Sequence, residues 1–391
     1  MTARPVDIAP LRPVLLPDSG LQRGWETTVL LGVTFFLLSF GLVTLYSTSS
    51  VLALRQNLPD TYFVLRQAGG AGVGLLALGA CAWMPYTWWK HLAWPLMWLS
   101  VVCLVILILP GTEAIAPEIN GARRWLRLGV AVQPSEFAKI AMVMWTASMA
   151  VKKLDQFQSL SRGLGPFFVM WTVMLVPVAM EPDLSTAILL ALLGMIVIFA
   201  AGARLAHFLF LGLLALPVLK GQLAVGFRAE RIASFLNPAS DPSGAGFQAH
   251  QSLVALGSGG ITGVGIGEGR QKFGFLPEAH NDFIFAMVGE EWGLLGVLFL
   301  VALYLTLILV GFRIASRAPD LFGELLAVGL TSLIALQAVL HMAVGLALVP
   351  TTGLALPLVS YGRSNLIVIM VALGVLMSIA RHSRGGKGAR A

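Results

Sequence analysis

The chain has 391 residues, of which 57% are hydrophobic and only 12% charged, with a mean hydropathy of +0.83. That balance excludes an ordinary soluble domain, and apolar runs of roughly 20 residues, in place of alternating ten-residue strands, exclude an outer-membrane barrel. What remains is an all-α polytopic membrane protein, in which the net charge of +7 bears on orientation more than on class.

Residues 1 to 24 carry Arg4, Arg12 and Arg23 without helical periodicity and read as a short cytoplasmic tail. The first apolar run, near Thr27 to Ser47, is longer than a signal-peptide core and lacks a small-residue cleavage site, so it reads as a retained span. Ten spans are expected, at about 26 to 48, 62 to 83, 91 to 110, 134 to 151, 166 to 180, 183 to 201, 204 to 219, 283 to 311, 322 to 348 and 363 to 381. An even number returns both termini to one side, and Arg381, Arg384, Lys387 and Arg390 favour the cytoplasm for it. The domain plan is a tail of residues 1–24, a ten-helix membrane domain of residues 25–381 and a basic cytoplasmic tail of residues 382–391. A long extracytoplasmic loop, residues 220–282, separates helices 7 and 8. Cys81 and Cys103 both fall in apolar runs and show neither metal-ligand nor disulfide spacing.

Along this plan the polar residues gather on the outer side. In NGARRWLRLGVAVQPSEFAK, residues 120–139, Pro134 can open a helix whose Glu136 and Lys139 share one face. An ion pair at a helix end explains these two, while Arg123 and Arg124 just upstream would suit a pyrophosphate-bearing ligand. Glu181, Pro182 and Asp183 break the chain between two spans. Asp183 can cap the sixth span, or act as a membrane-depth carboxylate in a broken segment. The glycine-rich run 257–269 matches no dinucleotide or P-loop fingerprint. With Gln248 to Leu256 before it, it reads as a short amphipathic surface helix followed by a flexible turn.

The most informative stretch is LPEAHNDFIFAMVGEEWG, residues 276–293. It sets Glu278, His280, Asp282, Glu290 and Glu291 in or against apolar sequence, where an ionised group costs several kcal/mol without a partner or water. Asp282 is either the N-cap of the eighth span or a general base at the membrane boundary. Pro350 to Asn365, PTTGLALPLVSYGRSN, interrupts the last two spans and must be buried or line a wet cavity, which makes it a re-entrant wall.

Taken together, NGARRWLRLG, QPSEFAK, EPDLST, GFQAHQSLVALGSGGITGVGIG, QKFGFLPEAHNDFIFAMVGEEWG and PTTGLALPLVSYG closely resemble the SEDS family (shape, elongation, division and sporulation), the division-type FtsW members more than the elongation-type RodA. The resemblance implies ten transmembrane helices and a peptidoglycan glycosyltransferase of the inner membrane that polymerises lipid II, the lipid-linked disaccharide-peptide, for septal wall synthesis. Its implied partners are a class B penicillin-binding protein as transpeptidase, other division proteins and membrane lipids, with no nucleic acid. By position it assigns the essential aspartate to Asp282 and site roles to Glu136, Lys139 and Asp183. Arg123, Arg124, Glu278, His280 and Ser360 complete the expected substrate-binding set. No cofactor is called for, although a divalent cation could share the neutralisation of pyrophosphate. Ser185, Asn281, Arg363 and Asn365 depart from the family pattern, and Arg363 adds bulk and charge where glycine is expected. A lipid II flippase or transporter, or a scaffold for a penicillin-binding protein, would use the same polar cavity. Glycan synthesis that depends on Asp282 separates these readings.

Overall fold

A computed structural model of the chain describes residues 24–119, 121–157, 160–236 and 244–385. Most of both expected tails therefore lies outside the described residues. Twelve helices are present among them: α1 (Trp25–Arg55), α2 (Tyr62–Trp83), α3 (Trp88–Ile108), α4 (Pro134–Lys152), α5 (Gly165–Met180), α6 (Leu184–Ala200), α7 (Leu205–Leu223), α8 (Gly226–Leu236), α9 (Ala245–Ser258), α10 (Ile284–Ser316), α11 (Leu321–Gly345) and α12 (Arg363–Gly385). A two-stranded antiparallel hairpin, β1 (Leu126–Leu128) and β2 (Val130–Val132), precedes α4.

Each of the ten segments expected to span contains a helix. Among the described residues seven helices are long and apolar enough to cross a membrane: α1, α2, α3, the stretch Arg162–Met180 that contains α5, α10, α11 and α12. The 17-residue α6 is a shorter apolar helix. Pro134 stands in the first turn of α4, as its lost N–H allows.

The core forms where small residues let helices approach. A Cβ at Gly74 of α2 would meet the Met370 side chain of α12, and one at Gly374 would stand 2.5 Å from the Leu78 carbonyl oxygen. Packing of this kind, without a hydrophobic drive between helices in lipid, is what holds transmembrane bundles together. At the start of α1, Glu26 pairs with Arg313 (3.4 Å) and Arg317 (3.2 Å) from the end of α10.

Residues 220–282 differ from the expected loop. They contain the end of α7, α8 and α9, and α9 is not a surface helix alone: Ala255 is fully buried, and Ser252 donates to the Gly345 carbonyl at 2.6 Å. Nor is the following glycine run a loose turn. Helix α10 is broken at Gly293 (φ 65°, ψ −165°), which strands backbone groups that must find partners. The run supplies them. The N–H groups of Leu294 and Leu295 donate to the carbonyls of Gly260 and Ile261, while Val264 and Gly265 donate to the carbonyls of Glu290 and Glu291. Glycine is required at 263, where φ is +83° and a Cβ would lie 2.2 Å from the Glu291 carbonyl oxygen.

Candidate active site

A cavity of about 950 Å³ opens between the hairpin, the start of α4, the α5–α6 turn, α8 and the irregular segments before α10 and α12. Of the expected site residues, Arg124, Glu136, Asp183, Glu278, His280 and Asp282 line it. Sequence-distant segments thus converge on one polar chamber.

Helix α4 contributes a sealed pair. Lys139 is fully buried, and its Nζ lies 2.7 Å from Glu136 Oε1; Asn365 Nδ2 donates to the other carboxylate oxygen at 2.8 Å. Glu136 faces the cavity, but Lys139 does not line it and stands behind the carboxylate. Asn365, one of the departures from the family pattern, therefore anchors the pair from α12. Arg124 donates through Nε to the Glu181 carbonyl (3.1 Å) and through Nη2 to the Pro182 carbonyl (2.7 Å). Its fork holds the turn that carries Asp183, whose Oδ1 accepts from the Thr186 N–H at 3.1 Å and caps α6. Arg123 stands apart, in an ion pair with Glu113 at 2.7 Å, and does not line the cavity.

Asp282 does not cap α10: the N-cap position is Phe283, and no side chain caps that end. The turn before it is closed by the N–H groups of Asn281 and Asp282, both donating to the Glu278 carbonyl at 3.0 Å, with Glu278 at φ 51°. Asp282 Oδ1 is buried without a hydrogen-bond partner among the described residues. Burial first, and the Glu278 carboxylate second, push its carboxyl up to about 7, against Arg231 and Arg124. Burial pushes the His280 imidazole down, so it is neutral at pH 7, packed 5.2 Å from Phe63 and 5.8 Å from Tyr361.

The re-entrant wall is well buried, with Leu356, Leu358 and Val359 at most 2% exposed. Ser360 does not line the cavity. Its hydroxyl donates to the Asn281 carbonyl at 2.8 Å and accepts from the Leu356 N–H at 2.9 Å, while the Tyr361 N–H donates to the His280 carbonyl. Ser360 thus holds the Asp282 segment in place without facing the chamber.

Sequence reasoning did not assign Arg66, Arg127 and Arg231 to the site, although they line the cavity, and gave Glu181 only as part of the break before α6. Burial, with Asp183 adding to it, pushes the Glu181 carboxyl up to about 9, so this residue is neutral at pH 7. Among the described residues no group of three or more His, Cys, Asp and Glu side chains could hold a metal ion.

Residues 28–385 match the cell cycle protein family of FtsW, RodA and SpoVE. A probable peptidoglycan glycosyltransferase FtsW of Trichlorobacter lovleyi is 42% identical over 354 residues, covering 90% of this chain and 92% of the relative. The stage V sporulation protein E of Bacillus subtilis is 40% identical over 355 residues, covering 90% and 96%. Among solved structures, a chain of a peptidoglycan synthase complex that coordinates polymerization and crosslinking superposes with a TM-score of 0.75 at 27% identity, covering 93% of this chain and 99% of that one. The rod shape determining protein RodA of Thermus thermophilus superposes with a TM-score of 0.65 at 27% identity, covering 93% and 98%. With the family match spanning nearly the whole chain, this membrane protein belongs to the FtsW/RodA/SpoVE family.

Proposed function

We propose that the chain is a peptidoglycan glycosyltransferase that polymerises lipid II on the outer side of the inner membrane at the division septum. It would act with a class B penicillin-binding protein and other division proteins, within a topology of ten spans. The relatives' names and the synthase-complex neighbour support the reaction class and the kind of partner. The observation that carries the mechanism is Asp282, a carboxyl on the cavity wall with one oxygen unpartnered and a pKa pushed up to about 7.

In the reaction, Asp282 takes the proton of the acceptor sugar's 4-hydroxyl as that oxygen bonds to C1 of the donor. The C1–O bond to phosphate breaks, and polyprenyl pyrophosphate leaves with both electrons. A base whose pKa lies near the working pH is best matched to this transfer, worth typically about 10² to 10⁴-fold. The rest of the acceleration falls to fixed cations around the departing pyrophosphate. Arg231 and Arg124, which line the cavity with Asp282, would supply them. Lys139 serves instead to hold the Glu136 carboxylate in place through their 2.7 Å contact, and Arg123 lies outside the chamber. The test is glycan synthesis from lipid II by the purified protein with its partner. Polymer made by the native protein and lost in Asp282→Ala supports the reading. Equal polymer from a well-folded Asp282→Ala refutes it and returns the chamber to a transport or scaffold role.

A further inference from the structure

The cavity arginines divide into two groups. Arg124 and Arg231 act on Asp282 and, with Asp183, on Arg228. They come from the loop before β1 and from α8. Arg66 of α2 and Arg363 of α12 also line the cavity, yet their shared electrostatic neighbour is the Tyr361 phenol.

Arg363 has room because position 70 has no side chain: a Cβ on Gly70 would stand 3.0 Å from Arg363 Cγ. Its guanidinium makes no hydrogen bond or ion pair among the described residues. Arg66 rests over the Tyr62 ring at 5.0 Å and donates to that residue's hydroxyl, without a carboxylate partner. Of the cavity carboxylates, Glu136 is already bound by Lys139 and Asn365. Arg66 stands four residues, about one helical turn, before the Gly70 against which Arg363 packs; two like charges in one cavity repel each other until an anion lies against both, and their planar forks match phosphate oxygens two at a time.

We infer that Arg66 and Arg363 form a second anion subsite, separate from the Arg124 and Arg231 group, which holds the pyrophosphate of the acceptor lipid. This rests on the polymerase reading. Of the two lipid-linked saccharides joined, only the donor loses its pyrophosphate, so the acceptor's must be held without being expelled. The glycine expected at position 363 from the family pattern would leave Arg66 alone there.

The experiment is calorimetric titration of inorganic pyrophosphate into the full-length protein in phosphatidylcholine nanodiscs, with melting measured in parallel. Native protein takes up two equivalents. Arg363→Gln retains one, with affinity for the other roughly ten- to hundredfold weaker, as expected for loss of a charge-assisted pair; Arg66→Gln does the same, which guards against a folding defect in either variant. With lipid II and the partner, Arg363→Gln raises the concentration for half-maximal rate about tenfold and leaves kcat within about twofold. Unchanged stoichiometry in both variants overturns the subsite. Displacement of the second equivalent by phosphatidylglycerol assigns the pair to a phospholipid headgroup and overturns the acceptor role. If native protein makes no glycan while the stoichiometry still falls in Arg363→Gln, the polymerase reading and the acceptor role fail and the anion site alone stands.

Discussion

Asp282 and the pair Glu290 and Glu291 lie in one short segment, yet their surroundings are opposite. Glu290 accepts from the N–H of Arg270 at 2.8 Å and from that of Gln271 at 3.3 Å. Glu291 Oε1 lies 3.0 Å from Lys272 Nζ and accepts from the Ser47 hydroxyl at 2.6 Å. Those carboxylates tie the glycine run and α1 to the broken helix. Glu291 Oε2 is unpartnered too, but its carboxylate is anchored through Oε1; the Asp282 side chain makes no hydrogen bond among the described residues and faces the cavity. A buried carboxylate that is bonded on arrival is part of the frame, whereas one left unsatisfied beside a polar chamber is available for chemistry.

The contrast can be broken at either end. Asp282→Asn keeps the shape and removes the base, so polymerisation should fall by about 10² to 10⁴-fold while helix content and membrane insertion are retained; an assay with lipid II beside circular dichroism checks both. Glu291→Ala should do the reverse. Removing one partner of a buried pair strands Lys272 and should lower stability by about 3 to 5 kcal/mol, read as a large fall in melting temperature in one detergent.

A pH series sharpens the comparison. The Asp282 carboxyl is raised from 3.8 to about 7 in the folded protein. Its contribution to stability is therefore complete below the unfolded value and is lost as pH rises through the folded one. Asp282→Asn should melt with the native protein at pH 3.8 or below and exceed it above pH 7, by up to roughly 4 kcal/mol. A parallel offset at every pH would show that the carboxyl is not titrating there. The smallest effect is expected from Gly263→Ala, where positive φ and the Glu291 carbonyl both oppose a side chain. A loss of about 1 to 3 kcal/mol is predicted, measured by melting.

Much of this was legible in the sequence for physical reasons. Apolar runs locate the helices, and three-residue spacing brings Glu136 and Lys139 together. The cluster of charges in residues 276–293 marks the segment that meets the cavity. Other features were hidden because their meaning is tertiary. Glycines 259 to 269 look flexible in isolation, but they allow backbone contact with a helix broken 24 residues beyond the last of them, at Gly293. An aspartate before an apolar run looks like a cap until Phe283 is found in that position. Arg66 resembles an ordinary charge reaching water from a helix and Arg231 an ordinary charge of the expected 220–282 loop, and only the folded chain brings them to one chamber. Arg123 and Arg124 are adjacent, yet one pairs with Glu113 and the other holds the Glu181 turn.

The central claim is that Asp282 is a base whose own surroundings set its working pH. The direct measurement is kcat/KM for lipid II polymerisation by the native protein with its partner across pH 5 to 9, with stability verified at each point. The account predicts a rise of about tenfold per pH unit that levels near 7, matching the raised carboxyl. A rate independent of pH below 7, under conditions where bond formation limits turnover, would contradict it.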